Sequence, residues 1–247
     1  MIRLLSVIGL LGCGHSDAPP TSSASRVPQD APHRLTVPMH EPVDAKPLVI
    51  QNIEAGEPPA SMVVVTSDPK FYIDRTEVTA GDYRECVEAM ACDPPSIDKW
   101  KTWDSKRAVT FVSPQQAWDY CAYRGKRLPT SKEWLRAALG DDGRKYPWGN
   151  AAPSCKYAVI ATCSKDIANV GTKPAGASPY GALDMAGNVN EYINDDVSGN
   201  REKIDAAVSG GEVGTLPEEL KGVFDQRSGY ALAGVITGFR CVRVPKS

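Results

Sequence analysis

Residues 181–192 read GALDMAGNVNEY and carry two carboxylates, Asp184 and Glu191, in a run too apolar for a solvated loop. Hard carboxylate oxygens suit a calcium ion, which takes roughly six to eight oxygen donors and accepts backbone carbonyls among them. Gly187 permits the tight turn that would bring such carbonyls to one side. The same residues also have an arrangement without an ion, in which Asp184 caps a turn and Glu191 pairs with an arginine.

Other chemistries are narrowed by what the chain lacks. Its three histidines, His15, His33 and His40, all precede residue 41, so a folded domain beyond that point has no imidazole. Ser-His-Asp and Cys-His catalysis, histidine-ligated zinc and a histidine general base are thereby excluded from it. The net charge of -2 arises from mixed signs without long runs, and points to neither nucleic acid nor an anionic membrane surface as a partner.

The chain begins MIRLLSVIGLLGC, where Arg3 precedes an apolar run too short to span a bilayer. This reads as an export signal over residues 1–12. Its end, Leu10-Leu11-Gly12-Cys13, resembles a bacterial lipoprotein signal, which implies lipidation of Cys13 and a membrane-anchored protein of the cell envelope, on the periplasmic or extracellular face. A plain signal peptide cut elsewhere is the other reading. Setting Cys13 aside leaves six cysteines, Cys86, Cys92, Cys121, Cys155, Cys163 and Cys241, and an even number in an exported chain suggests three disulfides.

Several elements must position these groups. Residues 13–59 are rich in Pro, Ser, Ala and Asp and read as a disordered tether, with LVIQNI at 48–53 as a possible strand. The compact domain, residues 60–247, opens with strand-like runs MVVV at 62–65 and FYIDRTEVT at 71–79. Thr79 then begins a short amphipathic helix with Tyr83, Cys86, Val87 and Met90 at helical spacing. Ser113-Pro114 with Gln116 starts a second helix that ends at Gly125, and Thr130 with Glu133 starts a third that stops at Gly140. Beyond Gly140 the chain is rich in Gly, Pro, Asn and Asp, and only short runs such as ALAGVI and FRCVRV read as strands. Irregular chain of that length needs crosslinks or ions to support it.

Spread along this domain are FYIDRTEVTAGDY at 71–83, VTFVSPQQAWDYCAYRGKRLPTSKEWLRAA at 109–138, YPWGN at 146–150, GASPYGALDMAGNVNEY at 176–192 and GFRCVR at 238–243. With these motifs the chain from about Ser61 to Val244 resembles the formylglycine-generating enzyme, or sulfatase-modifying factor, family. The resemblance implies an α+β domain, a variant of the C-type lectin fold with much irregular structure. It also implies a disulfide between Cys121 and Cys241. Such a bond closes a loop of about 120 residues and contributes roughly 4 to 5 kcal/mol in a chain-entropy estimate. Proximity pairs Cys86 with Cys92 and Cys155 with Cys163, at roughly 2 to 3 kcal/mol each.

The family's enzymes bind copper through two cysteines upstream of GFRC, and soft thiolates suit copper(I). Residues 204–238 contain no cysteine, so copper chemistry is not expected here. A second branch of the family uses iron held by histidines of a separate helical domain, which this chain does not contain. SGGEV at 209–213 stands where the family usually has RGGSW, and Asn190 and Tyr192 stand where it usually has tryptophans. Glu212, Arg227, Tyr230 and Arg240 are candidates to line an altered pocket, although scattered polar residues are more often surface or ion-pair positions. For the opening stretch the resemblance implies one structural calcium ion, held by the side chains of Asp184 and Glu191 and the carbonyls of Gly187 and Val189. A second calcium site of the family has no counterpart near Val159.

The expectation is thus a lipid-anchored, disulfide-crosslinked, calcium-stabilised domain with no catalytic residues, acting as a binding or scaffolding module. Its partner would be an envelope protein or extracellular ligand. The competing reading is a formylglycine-generating oxidase acting on sulfatase cysteines.

Overall fold

A computed structural model describes residues 59–66, 69–204, 206–225, 228–230 and 236–245. These all belong to one compact unit, Pro47–Ser247. Cys13, the tether and LVIQNI lie outside the described residues, as does most of ALAGVI.

The helices form where local capping chemistry places them. Helix α1 (Ala80–Glu88) is capped by Thr79, whose hydroxyl accepts from the Asp82 amide. Helix α2 (Pro114–Tyr123) starts with a proline whose missing N–H needs no partner, behind a reciprocal capping box between Ser113 and Gln116. Helix α3 (Ser131–Leu139) carries the same box between Thr130 and Glu133 and ends at Gly140, whose φ of 64° is left-handed.

Two small sheets accompany the helices. The first has the order β1 (Met62–Val65), β2 (Phe71–Asp74), β7 (Val242–Arg243), all antiparallel. In the second, β5 (Ser228–Tyr230), β4 (Ala206–Ser209) and β3 (Asn190–Asn194) pair antiparallel, and β6 (Thr237–Gly238) lies parallel to β3. A one-turn helix α4 (Gly222–Asp225) precedes β5. Phe239, Arg240 and Cys241 form the crossover between the sheets, joining β6 of one to β7 of the other.

The run FYIDRTEVT is therefore a strand only as far as Asp74. Beyond it the backbone amides turn to other partners: Arg75 N–H donates to Ser61 and Val78 N–H to Phe239. Conversely, NEYIN in the opening stretch is a strand with four of its five residues buried.

One core packs Trp134, Ala137 and Ala138 of α3 against Val65, Phe71, Ile73, Met185 and Ile193. A second gathers Tyr83, Tyr120, Tyr192 and Phe239 around the Cys121–Cys241 disulfide, with Tyr83 and Tyr120 stacked at 5.7 Å and Phe239 edge-on to both. Cys86 is joined to Cys92 and Cys155 to Cys163. Among the described residues no helix is long and apolar enough to cross a membrane.

Candidate functional site

The crossover delivers Arg240 into the centre of the domain, where its side chain is fully buried. Its Nε donates to Glu191 Oε2 at 2.7 Å and its Nη2 to Glu191 Oε1 at 2.6 Å, a bidentate pair. The remaining guanidinium hydrogens reach the carbonyls of Asp74 (3.1 Å), Arg75 (3.2 Å) and Leu183 (2.9 Å). Trp134 of α3 adds an indole N–H to Glu191 Oε2 at 2.9 Å. Burial alone would weaken the Arg240 charge, but the Glu191 carboxylate more than offsets it and raises the guanidinium above its ordinary range.

Two further carboxyl groups stand beside this pair. Glu77, 2% exposed, accepts from Asn188 Nδ2 at 2.9 Å, and Asn188 Oδ1 in turn accepts from the Ala168 amide. Glu77 Oε2 has no hydrogen-bond donor among the described residues. Asp184, 7% exposed, accepts from the Gly171 amide at 2.5 Å. Burial pushes the Glu77 carboxyl well above the usual range, with the neighbouring Asp184 charge adding to the effect, and burial raises Asp184 as well. The backbone that aims these groups is left-handed at Asp184 (56°), Gly187 (79°) and Asn188 (62°). At Gly187 a β-carbon would collide with the Val159 carbonyl.

Three carboxyl groups thus surround one guanidinium, and burial favours the neutral forms of Glu77 and Asp184. A hard divalent cation at Asp184 would therefore have to displace a proton, with Glu77 Oε2 the nearby oxygen that has no donor among the described residues. Glu191 is already engaged at both oxygens by Arg240 and Trp134, so its share in such a site would fall to its remaining lone pairs. Among the described residues no three His, Cys, Asp or Glu side chains are grouped as a metal site, so an ion here would depend on carbonyl donors such as Gly187 and Val189.

The candidate pocket does not assemble as the sequence suggested. Arg240 is wholly buried in the ion pair and lines no opening. Glu212 folds onto its own turn, its Oε2 accepting from the Gly214 amide. Arg227 lies outside the described residues, and of Tyr230 only the strand backbone is described. Tyr192 is a core residue, 3% exposed, which donates its hydroxyl to the Val112 carbonyl at 3.0 Å. Burial pushes its phenol up to about 12. In SGGEV the glycines have a packing reason: a β-carbon at Gly210 would stand 3.2 Å from the Trp134 ring.

Two small sheets knitted together by irregular chain, with a buried arginine at their crossover, define an α+β domain of the C-type-lectin-like class. Residues 35–245 match the sulfatase-modifying factor enzyme 1-like domain, and the chain belongs to that family. It is 31% identical over 172 residues to the hercynine oxygenase of Mycolicibacterium smegmatis, covering 56% of this chain and 40% of that protein. It is 43% identical over 94 residues to the inactive C-alpha-formylglycine-generating enzyme 2 of Bos taurus, covering 34% of this chain and 31% of that one. The chain spans less than half the length of these curated relatives. Among solved structures, PvdO from Pseudomonas aeruginosa superposes with a TM-score of 0.52 at 19% identity, covering 71% of this chain and 81% of that one.

Proposed function

We propose that this domain is a non-catalytic binding or scaffolding module of the cell envelope. The observation that carries the reading is the fate of its thiols. Residues 204–238 hold no cysteine, and Cys86, Cys92, Cys121, Cys155, Cys163 and Cys241 are all joined in disulfides. A copper(I) site built on a thiolate pair therefore has no ligands in the folded domain. The resemblance to a relative named as inactive supports the same reading. Histidine-held iron has no ligands among the described residues, since His15, His33 and His40 all precede them.

The test is a copper(I) titration of the purified protein with a sulfatase-motif peptide, followed by oxygen consumption. No tight copper binding and no turnover is the expected result. Turnover would replace this reading with a formylglycine-generating oxidase.

Two further properties complete the proposal. Cys13 is the lipidated residue that tethers the domain to the membrane, with an envelope protein or extracellular ligand as its partner; mass spectrometry of the detergent-extracted protein checks the lipid. One calcium ion stabilises the domain, held by Asp184 and the carbonyls of Gly187 and Val189, with Glu191 contributing what Arg240 leaves.

A further inference from the structure

The three disulfides differ sharply in their surroundings. Cys121 and Cys241 are fully buried, and Cys86 and Cys92 are 0% and 7% exposed. Cys155 is exposed and Cys163 half-exposed. Lys156 and Lys165, which neighbour these two cysteines in the chain, are both exposed.

The segment between the two cysteines is held to the domain independently of the bond that joins its ends. Ala158, Val159 and Ile160 are buried. The Val159 carbonyl accepts from the Asn188 amide at 2.8 Å, and the Ala161 amide donates to the Thr215 carbonyl at 3.1 Å. The Tyr157 carbonyl packs so closely on Gly176 that a β-carbon there could not be accommodated, and the Val159 carbonyl likewise leaves no room for one at Gly187. Each cysteine belongs to a short turn at one end of this anchored centre: Tyr157 N–H returns to the Ser154 carbonyl at 2.9 Å, and Cys163 N–H to the Ile160 carbonyl at 2.8 Å. The centre therefore keeps the two cysteine α-carbons near their present separation of 5.3 Å whether or not the sulfurs are bonded.

We propose that Cys155–Cys163 is a reversible thiol–disulfide exchange site, opened by dithiols and closed again while the domain stays folded. In the forward direction a dithiol's thiolate attacks the Cys155 sulfur and the Cys163 thiolate leaves, which gives a mixed disulfide. The second thiolate of the reductant then displaces Cys155, so two electrons pass to the protein, the reductant becomes a disulfide, and both cysteines end as thiols or thiolates. The reverse reaction needs only a disulfide oxidant, because closing so short a loop between anchored ends has little entropy to overcome. Burial denies the attacking thiolate access to the other two bonds.

The experiment is graded dithiothreitol treatment of the intact folded protein, with alkylation and peptide mapping of each cysteine. Cys155 and Cys163 should label together at a reductant concentration at least about tenfold below that needed for Cys86, Cys92, Cys121 or Cys241. Glutathione disulfide should then re-form the bond and abolish labelling. Far-UV circular dichroism of the selectively reduced protein, and of the Cys155→Ser/Cys163→Ser variant, should match the starting protein. Opening of Cys86–Cys92 at the same concentration overturns the proposal. So does loss of the folded signal or of amide-exchange protection at Ala161 and Asn188 when only Cys155 and Cys163 are labelled.

Discussion

Arg240 and Glu191, 49 residues apart in the chain, meet through two charge-assisted hydrogen bonds with both side chains wholly buried. The pair lies where the two sheets join, because Arg240 follows β6 and Glu191 sits on the neighbouring β3, opposite Gly238. Removal of the guanidinium strands a buried carboxylate and leaves the carbonyls of Asp74, Arg75 and Leu183 without their shared donor. Arg240→Met should therefore cost about 3 to 5 kcal/mol in denaturant unfolding. Arg240→Met/Glu191→Leu should recover only part of that loss, since the carbonyls of Asp74 and Leu183 lose their guanidinium donor while that of Arg75 keeps the Leu183 amide.

If calcium occupies Asp184 and free ion stands at about 100 times its dissociation constant, it adds about 2.7 kcal/mol. The melting temperature should fall with chelator and recover with calcium but not zinc. Asp184→Ala should abolish that response. A chelator-insensitive wild-type domain would remove the ion and leave Asp184 as the turn acceptor of the Gly171 amide.

The Cys121–Cys241 bond spans 120 residues and should contribute about 4 to 5 kcal/mol. Cys121→Ala/Cys241→Ala should be the most destabilised of the three paired cysteine variants by thermal unfolding under non-reducing conditions.

Gly187 and Gly143 are both left-handed, at φ 79° and 74°, but a β-carbon at Gly143 meets nothing within 4 Å. Gly143→Ala should cost about 1 to 2 kcal/mol from backbone strain alone. Gly187→Ala should cost clearly more, because its β-carbon also collides with the Val159 carbonyl. Parallel denaturation of the two variants separates strain from collision.

Glu133 supplies an acid-dependent contribution. Burial opposes its ionisation, but hydrogen bonds from Arg127 and Thr130 prevail and its carboxyl lies below the usual range. A depressed carboxyl stabilises the fold above its unfolded pKa, near about 4.3, and that contribution disappears as pH falls through the folded value. Glu133→Gln should be less stable than wild type at neutral pH and lose less stability on acidification. Melting curves across that window check the sign.

The starts of the three helices were legible because caps are local: Thr79, Ser113 and Thr130 each meet an amide three residues on. Gly140 marked the end of α3 for the same reason. Strands β3 and β4 were harder to see. NEYIN buries alternate polar and apolar residues alike, and neither of its neighbours is local in sequence. An arginine partner for Glu191 was among the sequence alternatives, but its identity required distances that only folding brings together. Glu77 was missed as a member of the cluster, since its contact with Asn188 spans 111 residues. FYIDRTEVT carries Asp74 and Arg75 as well, so nothing in the run singled out Glu77. The packing role of Gly210 likewise depends on a residue distant in the chain, Trp134.

The bond between Cys121 and Cys241 makes most of the domain a covalent ring. A protease that cuts the backbone anywhere inside that ring produces two pieces that remain one molecule, with the cut invisible on a non-reducing gel. The last strand, which follows Cys241 directly, would stay attached to α2 through such damage, and with it the crossover that carries Arg240. A domain built in this way tolerates nicking without shedding the segment on which its centre depends.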